Sequence, residues 1–157
     1  QHIAQQTGLA LLAELPTTPV MAHADAKQLR QVLDGLITNA VKFSPQGGQI
    51  TIRVQQREDK LPQLTISDTG VGISEKDLPQ IFEPFFTTKE LGRGTGLGLA
   101  LSQQLVQLLG GEKLEVHSVI GEGSQFSFTL ELPVTNAVTA PNLNNVHHIL
   151  GYHRFAI

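Results

Sequence analysis

Residues 68–73 read Asp-Thr-Gly-Val-Gly-Ile, and the fold can be worked out from this stretch. In the residues before it, Leu64 and Ile66 alternate with polar side chains, which is the pattern of a half-buried strand. A carboxylate therefore ends a strand, and the glycines that follow let the backbone turn sharply and approach a ligand closely. The carboxylate of Asp68 can accept a hydrogen bond from an exocyclic amine. A plain turn around Asp and Gly explains the same residues without a ligand, so this stretch alone leaves both interpretations open.

A second glycine-rich stretch, residues 92–98 (GRGTGLG), has four glycines in seven residues and leads into a helical pattern over 97–109. Backbone N–H groups at the start of a helix form an anion site that suits phosphates. A loop without a ligand is the alternative, although four glycines cost conformational entropy on folding and add no side-chain packing. The dinucleotide-binding spacing does not fit, because Leu97 stands where a third glycine is required, and the Gly-Lys-Ser/Thr of a P-loop is absent from the sequence.

A long helix is predicted after Asp25, which suits the N-cap position. Apolar residues recur at helical spacing as far as Val41, and residues 44–48 (SPQGG) end the pattern. Asn39 and Lys42 are three residues apart and therefore share a face of this helix. An Asn amide oxygen can ligate Mg²⁺ and a Lys can contact a phosphate, whereas a solvated polar face is the alternative interpretation.

The rest of the chain combines paired strands with helices. A short helix is predicted over 74–79, with Ser74 as its cap. Adjacent strand pairs favour antiparallel hairpins over parallel crossovers, which predicts an α+β fold with helices on one face of a mixed sheet. Periodicity is lost after Pro133, so residues 1–134 are predicted to form one domain and residues 135–157 a linker or tail. The strand patterns come in three pairs, at 9–14 and 20–23, at 49–54 and 64–66, and at 113–117 and 125–132.

The composition excludes several classes of protein. The chain has 157 residues, 40% of them hydrophobic, which is enough for a packed core and argues against a disordered chain. Its formal net charge of -3 gives no basic face for nucleic acid, and without cysteine neither disulfides nor thiolate metal sites are expected. The sequence has no apolar run of the roughly 20 residues that cross a membrane and no visible signal peptide. We therefore expect a cytoplasmic domain, with any inner-membrane anchor of the parent protein upstream.

A further motif, residues 82–86 (FEPFF), completes a set of four whose order is that of one family. The chain resembles the catalytic ATP-binding domain of sensor histidine kinases, in the superfamily of gyrase, Hsp90 and MutL. The resemblance runs over about residues 9–133, and residues 121–126 (GEGSQF) are similar to the family's closing strand motif. The four motifs are an N box at 38–43 (TNAVKF), a first glycine box at 67–73 (SDTGVGI), an F box at 82–86 and a second glycine box at 94–99 (GTGLGL).

The resemblance implies a fold, cofactors and residue roles. The implied fold is a two-layer α/β sandwich, with a mixed, mostly antiparallel sheet of about five strands under three helices. The implied cofactors are ATP and Mg²⁺: Asn39 would hold the metal ion, Asp68 would read the amino group of adenine, and Lys42 and Phe43 would contact the nucleotide. The base would lie against Gly70, Gly72, Ile73 and Ser124, and the phosphates against Gly94, Thr95, Gly96, Leu97 and Gly98.

The same resemblance implies a reaction and its partners. The domain would donate the γ-phosphoryl group of ATP to a histidine on a separate dimerisation domain of the same protein, in two-component signal transduction. A response regulator or a receiver domain would then take the group, and the tail from Asn142 onward is similar to linkers that precede receiver domains in hybrid kinases. None of the six histidines is followed by Glu or Asp, as the family's acceptor is, so the acceptor is expected on another domain. The chain by itself is expected to be monomeric.

One position departs from the family pattern. Gly35 stands where histidine kinases usually have Asn and where the ATPases of the superfamily have Glu as general base. Because glycine can neither ligate a metal ion nor activate water, we expect little ATP hydrolysis. A superfamily ATPase, a degenerate module that docks to a partner, and an anti-sigma-type serine kinase stay open as alternatives.

Overall fold

The computed structural model describes residues 8–88 and 95–131, which form a sheet covered on one face by helices. The strands are β1 (Ala10–Glu14), β2 (Gln49–Gln56), β3 (Pro62–Asp68), β4 (Glu115–Val119) and β5 (Gly123–Thr129). The helices are α1 (Ala26–Phe43) and α2 (Gly98–Leu108), and a 3₁₀ turn covers Leu78–Gln80. No helix in these described ranges is long and apolar enough to span a membrane.

The five strands form one sheet in the order β1-β2-β3-β5-β4. All neighbouring pairs are antiparallel except β1 and β2, which run parallel. The predicted α+β class with a mixed, mostly antiparallel sheet of five strands is therefore confirmed. Because β3 is the central strand, Asp68 at its end lies opposite Ile50 on one side and Ser124 on the other.

Of the first predicted strand pair, the strand at 9–14 forms as β1, and the strand at 20–23 is wrong. Residues 20–23 do not form a strand, and the β-pairing of His23 is an isolated bridge with Glu131. The preceding turn over 16–19 contains two prolines, which lack the N–H groups that a strand ladder uses. β1 pairs with β2 instead, so the edge strand of the sheet belongs to a parallel pair and not to a hairpin.

The predicted helix over 74–79 is a turn that continues into the 3₁₀ turn Leu78–Gln80. The hydroxyl of Ser74 donates to Asp77 Oδ2 at 2.5 Å instead of accepting a backbone N–H as a cap. Pro79 lies in the 3₁₀ turn and has no N–H to donate, so an α-helical ladder does not develop there. Two α-helices rather than three therefore cover the sheet in the described part of the chain.

The α1 helix forms as predicted and supplies one wall of the core. Its N-cap residue Asp25 accepts a hydrogen bond from the backbone N–H of Gln28 at 2.9 Å. The buried face of α1 packs against the inner face of the sheet, where Phe128 is only 1% exposed. This packing holds the C-terminal half of α1 beside the end of β3. The buried residues of α1 are Leu29, Val32, Leu36 and Ala40.

Replacing Asp25 with Ala is expected to lower the free energy of unfolding by about 1 kcal/mol, because the N–H of Gln28 loses its side-chain acceptor. Asp25→Ser keeps an acceptor oxygen at the N-cap and is the matched control, with a much smaller expected loss. Urea denaturation followed by circular dichroism measures both. An equal loss in the two variants would contradict a role for this cap.

Candidate functional site

A cavity of about 410 Å³ opens between the C-terminal half of α1, the loop after β3 and the start of α2. This volume lies in the range of ligand pockets in proteins. Segments that are far apart in the chain, the β4–β5 turn and β5 among them, meet at its wall. Most of the predicted site residues line it, namely Asn39, Lys42, Phe43, Asp68, Gly72, Ile73, Thr95, Gly96, Gly98 and Ser124.

Two of the predicted site residues that the structure describes, Gly70 and Leu97, are not in this wall. Gly70 is buried behind it, and its N–H donates to the carboxylate of Asp68. Leu97 is 41% exposed and lies immediately before α2. Gly94 lies outside the described residues.

Asp68 is a half-buried carboxylate in the cavity wall. It continues the inward-facing series of β3 after Leu64 and Ile66. Its Oδ1 accepts hydrogen bonds from the backbone N–H of Gly70 at 2.8 Å and from that of Ser124 at 3.3 Å. Burial raises the pKa of Asp68, and these hydrogen bonds lower it in part. Its Oδ2 has no hydrogen-bond partner within the described ranges, so it offers an acceptor to a ligand.

Two glycines let the loop after β3 contact its neighbours closely. A Cβ atom at Gly70 would lie 2.7 Å from the carbonyl oxygen of Phe43, at the end of α1. At Gly72, where φ is 74°, a Cβ atom would lie 2.1 Å from the carbonyl oxygen of Val119. Both distances are too short for a side chain. The loop therefore packs between α1 and the β4–β5 turn, and the N–H of Val71 donates to Phe43 O at 3.2 Å.

The other end of the cavity is formed by the start of α2. No described side chain caps the first backbone N–H groups of this helix. Gly98 lies next to Asn39, since a Cβ atom at Gly98 would be 4.0 Å from Asn39 Nδ2. Gly96, with a φ of 65°, packs against the backbone of Phe85, whose N–H donates to Gly96 O at 2.9 Å. Uncapped N–H groups beside an amide side chain suit an anionic group.

The sequence does not predict every residue of the cavity wall. Its apolar part includes Ile81, Phe86, Ile120 and Phe126. Phe86 belongs to the FEPFF motif and Phe126 to the inward-facing series of β5, so the motif and the alternation could have indicated both. Ile120 lies in the β4–β5 turn, and no local pattern indicates it, because only the pairing of β5 with β3 brings this turn to the cavity.

Gly35 lies on the side of α1 that faces α2, close to the cavity. A Cβ atom at this position would lie 3.0 Å from Oγ of Ser102, a buried residue of α2. A shallow depression beside Gly35 is also lined by Asn39 and Lys42, so position 35 belongs to the same end of the site as these residues. Gly35 contributes neither a carboxylate nor an amide there, and a side chain at this position would require Ser102 to shift.

Comparison with known proteins identifies the family. Residues 24–136 match the family described as histidine kinase-, DNA gyrase B- and HSP90-like ATPase. Sensor histidine kinase WalK of Bacillus subtilis (strain 168) is 34% identical over 135 residues, which are 82% of this chain and 22% of WalK. The nucleotide-free catalytic domain of histidine kinase ThkA has a TM-score of 0.72 at 27% identity and covers 83% of both chains. Full-length ShkA in complex with AMPPNP has a TM-score of 0.72 at 29% identity, covering 82% of this chain and 27% of ShkA.

The matches differ in how much of each protein they cover. The chain spans about a fifth of the length of WalK and of other curated relatives. In contrast, it corresponds to most of the isolated catalytic domain of ThkA. The chain therefore belongs to the histidine kinase-, DNA gyrase B- and HSP90-like ATPase family and is a catalytic ATP-binding domain of the histidine kinase type.

Proposed function

We propose that this domain binds Mg-ATP and donates the γ-phosphoryl group to a histidine on a separate dimerisation domain of the same protein. A response regulator or a receiver domain then takes the group in two-component signal transduction. The observation that carries the proposal is Asp68, which lines the cavity and whose Oδ2 has no partner within the described ranges. The relative named sensor histidine kinase WalK and the ShkA complex with AMPPNP support it.

The adenine end of the proposed site is at Asp68. An ionised carboxylate only accepts hydrogen bonds, so it pairs with the amino group of adenine and repels the 6-oxo group of guanine. Ile73 and Phe126 line the same part of the wall and offer apolar surface to the base. Gly70 orients the carboxylate through its N–H, and Gly72 lets this loop, which lines the cavity, pack closely against the β4–β5 turn.

The phosphate end of the proposed site is at the start of α2. Thr95, Gly96 and Gly98 line the cavity there, and the uncapped N–H groups of the helix point their partial positive charge at it. Lys42 lines the same end from α1 and supplies a full positive charge. Phe43 follows it in the wall and contacts the nucleotide. The proposed phosphate contacts of Leu97 and Gly94 stay predictions.

Asn39 is the side chain that fits a magnesium ion. Its amide lies next to Gly98 at the phosphate end, and amide oxygen is a ligand type that Mg²⁺ accepts. Mg²⁺ usually keeps several waters and binds through substrate phosphates and one or two side chains, rather than in a cage of protein ligands. When bound, the ion would neutralise charge on the β- and γ-phosphates.

The proposed chemistry is an in-line phosphoryl transfer. A nitrogen of the acceptor imidazole forms a bond to the γ-phosphorus while the bond to the β–γ bridging oxygen breaks, ADP leaves, and the imidazole releases its N–H proton. The domain itself supplies no nucleophile, and its residues hold the base and the phosphates in position. Gly35 supplies no base that would activate water, which favours transfer over the hydrolysis expected of a superfamily ATPase.

Other expectations concern the parent protein and the end of the chain. Residues 132–157 lie outside the described residues, and the role of residues 135–157 as a linker or tail that leads to a receiver domain stays a prediction. The cytoplasmic location, the membrane anchor of the parent protein and the monomeric state of the chain stay predictions as well.

Asp68→Asn is expected to weaken ATP binding by about 100-fold or more, because the amide presents a donor to the amino group of adenine. The amide oxygen still accepts from Gly70 and Ser124, so the cavity keeps its shape. Since burial raises the pKa of Asp68, its unpaired charge destabilises the nucleotide-free domain, and the variant should melt at the same or a higher temperature. Calorimetric titration and a thermal melt measure the two effects. Undiminished ATP affinity in the folded variant would refute the proposal.

Asn39→Ala is expected to remove most of the increase in ATP affinity that Mg²⁺ produces, while affinity in EDTA changes little, because the variant loses the proposed metal ligand. Gln28→Ala removes an amide from the same helix outside the cavity wall and is the matched control. Calorimetry with and without Mg²⁺ compares the two variants. A full Mg²⁺ effect in Asn39→Ala would eliminate Asn39 as the ligand.

Incubated alone with γ-labelled ATP, the chain is expected to acquire no covalent label, because no histidine in it has the acceptor's sequence pattern. A histidine-containing dimerisation domain from a histidine kinase, added in trans, should become labelled on histidine. Label on the chain alone would contradict an acceptor on a separate domain. Rapid phosphate release without any acceptor would favour the ATPase alternative.

A further inference from the structure

The hydroxyl of Ser118 joins two segments of the cavity wall. Ser118 lies on β4 opposite Ser124, which in turn lies opposite Asp68, so the three side chains form one row across the sheet. Its Oγ accepts a hydrogen bond from the N–H of Ile73 at 2.8 Å and lies 2.9 Å from Gly123 O and 3.0 Å from Ser124 Oγ. Ser118 itself is half-buried and outside the cavity wall.

The directions of these hydrogen bonds follow from counting donors and acceptors. A serine hydroxyl has one hydrogen and two acceptor lone pairs. A carbonyl oxygen can only accept, so the hydrogen of Ser118 goes to Gly123 O. The N–H of Ile73 occupies one lone pair of Ser118 Oγ. The second lone pair faces Ser124 Oγ, and Ser124 must supply the hydrogen for that bond.

The donation from Ser124 to Ser118 determines what the cavity presents to a ligand. Ser124 lines the cavity, and once its hydrogen is used behind the wall, its Oγ presents only lone pairs. Oδ2 of Asp68, which lies on the same face of the neighbouring strand, is also an acceptor. The part of the cavity wall formed by Ser124 Oγ and Asp68 Oδ2 therefore presents hydrogen-bond acceptors only. It can bind a group with two N–H donors, and it repels a carbonyl oxygen placed at the same position.

We propose that Ser118 is a positioning residue that orients the hydroxyl of Ser124 and thereby sets the preference of the site for 6-aminopurine over 6-oxopurine nucleotides. The proposal rests on the proposed binding of ATP. Ser118 also connects the loop that contains Gly70 with the start of β5, and both segments donate to Asp68 Oδ1. Loss of its hydroxyl frees Ser124 to donate toward a 6-oxo group and loosens both donors of Asp68.

The test compares ATP with inosine triphosphate, which differs from ATP by a 6-oxo group in place of the 6-amino group. Calorimetric titration of the folded domain gives both dissociation constants and therefore their ratio. Ser118→Ala is expected to weaken ATP binding and to leave inosine triphosphate binding unchanged or tighter, so that the preference for ATP falls by about tenfold. Ser118→Thr keeps the hydroxyl on a strand position that suits a β-branched residue and should retain the preference.

Two further variants make the comparison specific. Ser67→Ala removes a hydroxyl from the opposite face of β3, where Ser67 Oγ donates to Gln125 Oε1 at 3.3 Å, and should leave the ratio unchanged. Ser124→Ala keeps the backbone N–H that donates to Asp68 and should lose preference to a similar extent as Ser118→Ala. In the double variant the two losses should not add, because both act through one hydrogen bond.

The outcomes separate this inference from the proposed function. If the unsubstituted domain binds ATP and prefers it, but Ser118→Ala keeps the whole preference or weakens both nucleotides equally, the role of Ser118 is refuted while ATP binding stands. If the unsubstituted domain binds neither nucleotide, the proposed function fails and this inference with it. Should Ser118→Ala not fold, a preference unchanged in Ser124→Ala overturns the inference.

Discussion

Two backbone N–H groups from different parts of the chain hold one oxygen of Asp68, and the geometry of the cavity depends on this arrangement. One donor is Gly70, in the loop that follows β3, and the other is Ser124, at the start of β5. Because both bonds end on Oδ1, they restrict the rotation of the carboxylate, and Oδ2 has no hydrogen-bond partner among the described residues. A displacement of either segment would remove the oriented acceptor, although the remainder of the wall would be intact.

The close contacts that this arrangement needs are made by glycine at the cost of stability. Gly123 has a φ of 119°, and a Cβ atom there would lie 1.9 Å from the carbonyl oxygen of Asp68. A glycine also loses more conformational freedom on folding than other residues. Burial of the carboxylate opposes folding as well, since it raises the pKa of Asp68. The apolar core between α1 and the sheet, with Val32 fully buried, stabilises the domain against both effects.

Long periodic segments were predictable, and short ones were not. The helix after Asp25, its cap and its end at Ser44 agree with the sequence pattern, because eighteen residues of helical spacing leave little ambiguity. The segments 20–23 and 74–79 are too short for periodicity to decide, and prolines within or before them remove the N–H groups that a ladder requires. The parallel pairing of β1 with β2 was also beyond prediction, because the choice of partner depends on contacts between distant residues.

Local spacing and glycine content are properties of short segments, so they were sufficient to identify the residue types that carry the chemistry and the position of each relative to a strand or helix end. Asp68 after a strand, Asn39 and Lys42 on one helix face, and glycines before α2 could all be identified in this way. In contrast, the folded sheet was needed to learn that β5 pairs with β3, which brings Ser124 to Asp68 and the β4–β5 turn to the cavity. It also shows that Oδ1 of Asp68 accepts two hydrogen bonds, while Oδ2 has no partner in the part of the chain that the structure describes. These are contacts between residues that are 56 or more positions apart, and no local pattern encodes them, since they arise from the packing of the whole sheet.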